Sequence, residues 1–295
     1  MRVSEINFSI LVVFLSVHWI TLDLVAATDL SAEGVFWFVG MVGFKWLGFT
    51  CAAHRYFSHR VCNTSRGFQA VLGVWSTLTM ARSPIRFASG HRHHHLFSDR
   101  TGDLHSFRQD GFFKSYIGWV ISKRYHENVL GRVSDLKRFP ELVLLNRWYF
   151  VPNLILLALL YKTGGREALV YGGLLSIVAV WHLAFSASVL FHFLGKPAYR
   201  TGDDSKNSFL LALLTFGEGW HNNHHANPRS ARLGHEWWQL DLGFFVFVVF
   251  ERCGLVWNLN RSCGPSHAGI PKIGPAKVPQ ESGEHGAPVS SSVLA

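Results

Sequence analysis

The sequence predicts an all-α integral membrane protein with four transmembrane helices and a cytoplasmic helical cap. Three observations support this fold class. Of the 295 residues, 48% are hydrophobic and only 16% are charged, and the mean hydropathy is positive at +0.16. Apolar runs of membrane-spanning length recur along the chain, and cationic residues gather in the segments between them. This pattern is typical of an integral membrane protein rather than a soluble one.

The first apolar run covers residues 6–27 and is interrupted only by His18 and Asp23. About 20 residues are enough to cross a bilayer as a helix. A cleaved signal peptide is the alternative, because Arg2 precedes the run and a Val-Ala-Ala sequence ends it. The run is longer than the apolar part of a usual signal peptide and contains an ionisable residue, which favours a retained span.

Three further spans and one interfacial segment follow. The predicted spans cover residues 34–53, 148–161 and 168–194. Residues 240–257 are apolar but contain three charged side chains, so we expect this segment to lie at the membrane interface. Residues 1–260 thus form one membrane domain, and the Gly, Pro, Ser and Lys content of residues 261–295 predicts a disordered tail.

The distribution of Lys and Arg orients the predicted spans. Residues 55–147 contain 15 of them, whereas the connection at 28–33 has none and that at 162–167 has two. Cytoplasmic loops carry an excess of such residues, so the long segment and both termini are predicted to face the cytoplasm. The same bias accounts for the formal charge of +9, and nucleic-acid binding is not expected. Lys45, within the second span, either reaches toward the cytoplasmic end or faces the bundle interior.

Histidines form three clusters on this predicted cytoplasmic face. The clusters contain His54 and His59; His91, His93, His94 and His95; and His221, His224 and His225. Helix positions i, i+3 and i+4 lie on one side, so the second and third clusters each present three imidazoles together, with His93 on the opposite side. His54 and His59 are five residues apart and less aligned, which is compatible with ligands of different metal ions.

The two, three and three imidazoles of these clusters exceed the needs of one four-coordinate metal and indicate a histidine-ligated dimetal site. Imidazole binds iron, copper, zinc and nickel, so the ligands alone leave the metal open. A non-catalytic, histidine-rich metal transporter is an alternative, but it would place its ligands at bilayer depth. Here the clusters follow the ends of the predicted spans, which favours an enzyme site in the cap.

The motifs around these histidines resemble those of the membrane-bound fatty acid desaturases, specifically the acyl-CoA desaturases of the stearoyl type in their bacterial form. The motifs are His54-Arg-Tyr-Phe-Ser-His-Arg60, Asp103-Leu-His105, Gly111-Phe-Phe-Lys-Ser-Tyr-Ile-Gly-Trp119, Gly217-Glu-Gly-Trp-His-Asn-Asn-His-His225 and Trp237-Trp-Gln-Leu-Asp241. The resemblance extends from Trp46 to Phe250. Leu104 and Tyr116 depart from it, since the family has proline and histidine at these positions.

The resemblance implies two iron ions bound by nine histidines, the ninth being His192 at the end of the fourth span. Ser188 stands where the family has an asparagine that holds a metal-linked water, and Asn222 or Asn223 are alternatives for that role. Candidate hydrogen-bond partners of the ligands are Asp99, Asp103, His105 and Glu218. The alternative for these carboxylates is ordinary helix capping.

The function implied by the resemblance is O₂-dependent insertion of a cis double bond, most typically at the Δ9 position, into a long-chain acyl-CoA or acyl-ACP. Electrons would come from an external ferredoxin, or from cytochrome b5 with its reductase. The host membrane would be the bacterial inner membrane, or the endoplasmic reticulum in a eukaryote, and membrane lipid would surround the chain. A related diiron alkyl or sterol hydroxylase and an acetylenase are alternatives, and double-bond position, chain length and acyl carrier stay open.

An acyl substrate requires an apolar tunnel. We expect residues 67–80 to pack along it and Trp119, Trp181 and Trp220 to line it. Several arginines near the histidines either steer an anionic acyl carrier or simply follow the positive-inside bias. They are Arg55, Arg60, Arg82, Arg86 and Arg92.

Overall fold

The structure, a computed structural model, describes residues 3–127, 132–266 and 270–273, which are mostly helical. The α-helices of this part are α1 (Phe8–Ala26), α2 (Ala32–Leu47), α3 (Arg66–Thr77), α4 (Pro84–Phe97), α5 (Phe107–Phe113), α6 (Lys123–Glu127), α7 (Ser134–Lys137), α8 (Pro140–Arg147), α9 (Val151–Glu167), α10 (Ser176–Phe193), α11 (Phe209–Leu214), α12 (His221–Ala226) and α13 (Leu242–Arg252). The π-helical segments are Gly48–Ser58 after α2, Lys114–Gly118 after α5 and Ala168–Leu175 before α10. A 3₁₀ turn covers Val3–Glu5, and strands β1 (Asn63–Thr64) and β2 (Val256–Trp257) pair antiparallel.

Within the described residues, three helical stretches are long and apolar enough to cross a membrane. The first two, Phe8–Ala26 and Ala32–Ser58, correspond to the runs predicted at 6–27 and 34–53. The third, Val151–Phe193, contains both of the remaining predicted spans. The polar connection 162–167 predicts two separate spans, whereas the helical hydrogen bonding continues across it.

The third stretch nevertheless folds back on itself at a glycine pair. Gly164 and Gly165 leave the helical conformation, and Gly165 has a φ of 62°, which only glycine adopts readily. A Cβ on Gly173 would lie 2.5 Å from the Leu157 side chain. Sixteen residues along a straight helix would instead separate these positions by about 24 Å. The stretch is therefore a hairpin, and its first limb, residues 151–163, is shorter than the roughly 20 residues that a bilayer requires.

The apolar stretches combine an outward apolar surface with a packed interior. On α1, Trp19 and Leu22 are 74% and 64% exposed, which suits contact with lipid. Lys45 is fully buried, and its ammonium donates to the Gly173 carbonyl at 2.9 Å and the Ser176 hydroxyl at 2.6 Å. Of the two alternatives for Lys45, the interior one is therefore correct, and it links α2 to the start of α10.

A second core lies beside the π-helical end of α2. Helices α3, α4 and α8 pack there around buried side chains that include Phe57, Leu72 and Leu142. Ser83 caps the first turn of α4, with Pro84 next to it, which orients the helix that carries His91 to His95. Helix α13 buries Phe247 in this core while Phe245 is 53% exposed, the pattern of an amphipathic interfacial helix.

Part of the predicted tail packs against this domain. The Ser266 amide donates to the Ala226 carbonyl at 2.9 Å, and the Ile273 amide donates to the Ala198 carbonyl at 2.8 Å. Lys272 pairs with Glu236 at 2.8 Å. The disorder predicted for 261–295 does not describe these residues, because backbone carbonyls beside α12 take donors from them. Residues 267–269 and 274–295 lie outside the described part of the chain.

We expect Gly48→Ala to destabilise the protein, because the new Cβ would lie 2.9 Å from the Trp75 backbone carbonyl where α2 crosses α3. Overpacking of this kind typically lowers stability by about 1–3 kcal/mol. Gly40→Ala is the matched control, since nothing lies within 4 Å of its Cβ position on the same helical stretch. Thermal unfolding in detergent should show a lower Tm for Gly48→Ala only. Equal values for both variants would contradict this packing.

Candidate metal centre

The nine histidines proposed as ligands come together in two adjoining groups of imidazoles. Within each group, the nitrogens that could bind a metal all lie within 4.8 Å of one another. The first, the five-histidine group, consists of His54, His59, His91, His95 and His224. The second, the four-histidine group, consists of His94, His192, His221 and His225. The two adjoin through His95 and His225, whose ring centroids are 4.5 Å apart.

Each His-x-x-His-His motif contributes to both groups. In α4, His91 and His95 lie one turn apart and belong to the five-histidine group, whereas His94 belongs to the other. In α12 the pattern is reversed, and His224 alone joins the five-histidine group. Consecutive helical residues point about 100° apart, so neighbours in one motif reach different groups. The three histidines of each motif, which the spacing predicts on one helical face, therefore belong to two different groups.

His54 and His59 lie in the same group because the helix carrying them is π-helical. His54 is within Gly48–Ser58, and His59 is the residue that caps this segment. Hydrogen bonds from i to i+5 widen a π-helical turn, so residues five apart come to the same side. Their ring centroids are 5.0 Å apart. The interpretation that this pair serves different metal ions is corrected, since it assumed an α-helical turn.

The imidazole nitrogens have the spacing of metal ligands. Neighbouring Nε2 atoms are 2.8 to 3.0 Å apart in the five-histidine group and 3.0 to 3.2 Å apart in the four-histidine group. Two nitrogens about 2.1 Å from one ion and roughly 90–110° apart would be about 3.0–3.4 Å from each other. The donor set therefore fits two ions of a metal that imidazole binds.

Four of the imidazoles place Nδ1 within 2.9 Å of a buried carboxylate, and those of His94, His192 and His225 hydrogen-bond to it. The pairs are His54 with Glu218 at 2.7 Å, His94 with Asp103 at 2.9 Å, His192 with Asp99 at 2.7 Å and His225 with Asp203 at 2.7 Å. A carboxylate on Nδ1 keeps the proton there and leaves the Nε2 lone pair free for a metal.

Three of these carboxylates are among the candidates from the sequence, but Asp203 is not. It lies in the turn after α10, where its oxygens also accept from Thr201 at 2.6 Å and from the Ser205 amide at 3.1 Å. The signal for it was available in principle. An Asp-Asp pair follows the fourth predicted span on the same side as the histidines, yet no spacing rule links it to His225.

A buried arginine fixes the carboxylate behind His54. Arg55 is fully buried, with Nη2 at 3.1 Å from Glu218 and Nη1 at 2.8 Å from Asp241. Asp241 also accepts the amides of Leu233 and Phe244, the latter in the first turn of α13. Arg55 therefore positions the site and is buried away from any acyl carrier.

The other four arginines divide between structure and cavity. Arg60 and Arg92 both pair with Asp135, at 3.0 Å and 2.8 Å. Arg82 and Arg86 line the cavity described below.

Burial keeps most of the imidazoles neutral. Together with neighbouring histidines, it lowers the pKa below the ordinary 6.5 in His59, His91, His95, His221 and His224. Burial also opposes charge on His94, but Asp103 outweighs it and raises the pKa of His94. Although burial alone would raise it, the pKa of Glu218 is lowered to about 2 by His54 and Arg55. Near pH 7 the imidazoles with lowered pKa thus offer lone pairs, and Glu218 is ionised.

The remaining candidates have different surroundings. Asn222 binds the Ala198 and Tyr199 amides, each at 2.7 Å, and Asn223 binds the Leu233 carbonyl at 2.8 Å. The side-chain amides of Asn222 and Asn223 also form hydrogen bonds with other side chains. Both residues therefore hold the loops around α12 in place. This corrects the interpretation that one of them holds a metal-linked water.

Ser188 and His105 remain close to the histidines. Ser188 lies one turn before His192 and lines the same cavity. The His105 ring is 4.4 Å from that of His94, and its Nδ1 is buried without a partner among the described residues. His93 lies outside both groups and bonds the Gly102 carbonyl at 3.0 Å.

A cavity of about 600 Å³ opens onto the histidines. Its lining includes His54, His91, His94, His192 and His221. Trp119 and Trp181 line it as predicted, but Trp220 instead donates to the Leu240 carbonyl at 2.8 Å. Of residues 67–80 only Met80 lines it, because α3 packs into the core beside α8.

Sequence comparisons agree with this site. The chain matches the fatty acid desaturase family model over residues 11–244. It is 36% identical over 215 residues to the sn-1 stearoyl-lipid 9-desaturase of Anabaena variabilis, covering 72% of this chain and 79% of that protein. The chain belongs to the fatty acid desaturase family. Its two histidine groups suit a metal centre.

Two further relatives show how varied the family is. The icosanoyl-CoA 5-desaturase of Limnanthes douglasii is 37% identical over 218 residues, which cover 72% of this chain and 61% of that protein. The chain thus spans about three fifths of that relative's length. The hex-5-enoyl-[acyl-carrier protein] acetylenase of Moorena producens (strain JHB) is 30% identical over 244 residues, 75% of each chain.

We expect Asp203→Asn to weaken metal binding about 10- to 100-fold, because His225 loses the carboxylate that orients it. Asp204→Asn is the matched control, since the side chain of Asp204 pairs with the exposed Arg108. Competition with a chromogenic chelator would measure both affinities. Equal affinities in the two variants would exclude a positioning role for Asp203.

We expect His94→Ala to lose bound metal and activity, whereas His93→Ala retains its metal. His94 belongs to the four-histidine group, and the neighbouring His93 belongs to neither. Elemental analysis of the purified variants tests the difference. Equal metal loss in both would overturn the assignment of ligands by helical position.

Proposed function

We propose that this chain is a diiron, O₂-dependent fatty acyl desaturase that introduces a cis double bond into a long-chain acyl thioester, at the Δ9 position. The observation that carries the proposal is the pair of adjoining histidine groups beside a largely apolar cavity. Membership of the desaturase family supports the reaction, and relatives named as 9-desaturases support the position.

The five-histidine group would hold one iron ion and the four-histidine group the other. Bound iron would supply the redox chemistry with O₂ that no side chain provides for an unactivated methylene. The protein residues orient the ligands: each carboxylate on an Nδ1 fixes a tautomer and a ring direction. The buried setting of the histidines also keeps bulk water away from the reacting carbons.

The cavity is polar at one end, which orients the acyl chain. Arg82, Arg86, Asn146, Arg147 and Tyr149 line it where α4 and α8 meet. Guanidinium groups bind phosphate and polarise carbonyl oxygen, so we assign this end to the thioester and its carrier, acyl-CoA or acyl-ACP. The chain would then run past the histidines into the apolar part of the cavity between α1 and α10.

The proposed topology has four crossings, with the hairpin of α9 and α10 contributing two, and local thinning of the bilayer would accommodate the short first limb. The Lys and Arg residues between positions 55 and 147 then favour a cytoplasmic location for the histidines, in the bacterial inner membrane or the endoplasmic reticulum. The proposed electron donor is a ferredoxin, or cytochrome b5 with its reductase.

One observation favours a second function. The Moorena relative is named as an acetylenase and aligns over 75% of this chain, so conversion of an existing double bond to a triple bond is the alternative outcome.

Expression in a host of defined lipid composition tests the proposal. We expect new cis unsaturation between carbons 9 and 10 of the acyl chains, located by mass spectrometry of derivatised lipids. It should require O₂ and be absent with His94→Ala. A hydroxylated product without unsaturation would overturn desaturation, a triple bond would favour the acetylenase, and a bond elsewhere would overturn only the Δ9 assignment.

A further inference from the structure

The apolar part of the cavity ends at a wall of aromatic rings. Along α10 the lining residues run from His192 to Trp181, and along α1 they run from Asn7 to Phe14. The next turn of each helix, which contains Ile177 on α10 and His18 on α1, does not line the cavity. The lining of the cavity therefore ends at the same depth on both helices. On α10 this depth is eleven residues, or about 16 Å, from His192.

Three buried rings form this wall. Phe14, Trp181 and Phe185 are 9%, 7% and 6% exposed. The Phe14 and Trp181 rings stack, with centroids 5.8 Å apart and planes 16° apart, and Phe185 lies 6.2 Å from Phe14. We call these three residues the ring wall. A methyl terminus that reaches it meets close-packed side chains without space for further methylenes.

A hydrogen-bonded chain of polar side chains braces the ring wall from behind. The Tyr116 hydroxyl lies 2.7 Å from His182 Nδ1, and the Nε2 atoms of His182 and His18 are 3.0 Å apart. The other nitrogen of His18 bonds the backbone carbonyl of Phe14 at 2.8 Å. The His18 ring is also 4.1 Å from the Phe14 ring. This polar brace thus joins α1, α10 and the π-helical segment after α5.

The polar brace makes the ring wall hard to displace. To lengthen the cavity, Phe14 or Trp181 would have to move into the space that His18 occupies. That movement would break these partly buried hydrogen bonds, and a polar group left without a partner among apolar surroundings is unfavourable. Apolar rings alone would yield more easily, because rearrangement among apolar side chains leaves no polar group unpaired.

We propose that the ring wall, held by the polar brace, sets the maximum length of the acyl chain on the methyl side of the new double bond. The inference rests on the proposed function for the direction of the chain. It assigns a specificity role to Phe14 and a positioning role to Tyr116. The distance from the thioester to the double bond is set at the other end of the cavity and does not depend on these residues.

The test is binding of saturated acyl thioesters of increasing chain length to the purified protein in detergent, without reductant, so that no turnover occurs. For the wild type we expect affinity to rise with length and then fall beyond a limit. Phe14→Ala should move this limit to longer chains and change the ratio of long-chain to short-chain affinity by roughly tenfold, the equivalent of about two buried methylenes. Phe14→Leu should give a smaller shift of the length limit in the same direction. It provides the test if the alanine variant does not fold.

Two further variants separate specificity from general damage. Tyr116→Phe removes only the hydroxyl that holds His182. We therefore expect affinity to fall less steeply beyond the length limit, while affinity for short chains is unchanged. Phe36→Ala, on the 69% exposed Phe36 of α2, should leave the profile unchanged. An identical limit in folded Phe14→Ala or Phe14→Leu and the wild type would overturn the proposal.

The same substrates with reductant and O₂ distinguish the two proposals. A shifted binding limit without any unsaturated product would contradict the proposed function and leave the ring wall supported. Products of longer chains from Phe14→Ala, with the double bond at an unchanged distance from the thioester, support both.

Discussion

The structure depends on holding many neutral imidazole nitrogens about 3 Å apart inside a buried site. Their lone pairs repel one another unless a cation lies between them, so a partner on the other nitrogen of a ring helps to hold its orientation. Asp99, Asp103, Asp203 and Glu218 provide this support for four of the nine rings, each from a segment outside the regular part of a histidine-bearing helix. Buried carboxylates are themselves unfavourable without partners, and this explains the shell of donors around them. Arg55 forms an ion pair with Glu218, and the Ser106 hydroxyl donates a hydrogen bond to Asp99.

Division of each histidine motif between two groups makes the centre a single unit. Helix α4 contributes two rings to one group and one to the other, and α12 does the reverse. Rotation of either helix would therefore disturb both groups together. The loops that carry the carboxylates are bonded to one another as well, since the Asp204 amide donates to Asp99 at 2.9 Å. A displaced ligand in one histidine group would therefore affect the other group in two ways. One is through the shared helix, and the other is through the backbone contact between the carboxylate loops.

The clustered histidines were predictable because α-helical spacing places i, i+3 and i+4 side by side, and α4 and α12 follow that rule. His192 was not predictable from its own surroundings and came from the family resemblance. The grouping of His54 with His59 depends on a π-helical turn, for which residue spacing gives no signal. Asp203 and Arg55 act through contacts between residues that are distant in the chain. Such contacts cannot be predicted from the spacing of nearby residues. The hairpin at Gly165 was predicted only in part. Its polar connection predicted two separate spans, but not that the helical hydrogen bonding continues through the turn.

A saturated acyl chain offers almost no feature by which a protein can recognise one methylene among many. Only its two ends differ chemically from the rest, so its register against the histidines must be set from the ends. The cavity has suitable chemistry at both, with arginines beside α8 and a closed ring wall between α1 and α10. Hydrogen bonds and charge can fix a polar end within tenths of an ångström, whereas apolar packing only limits how far a chain extends. Under the proposed function, the position of a new double bond would be determined from the polar end, and the apolar end would decide which chain lengths are accepted. This separation would let chain length change through Phe14 and its neighbours while the histidines, their carboxylates and the site of reaction stay the same.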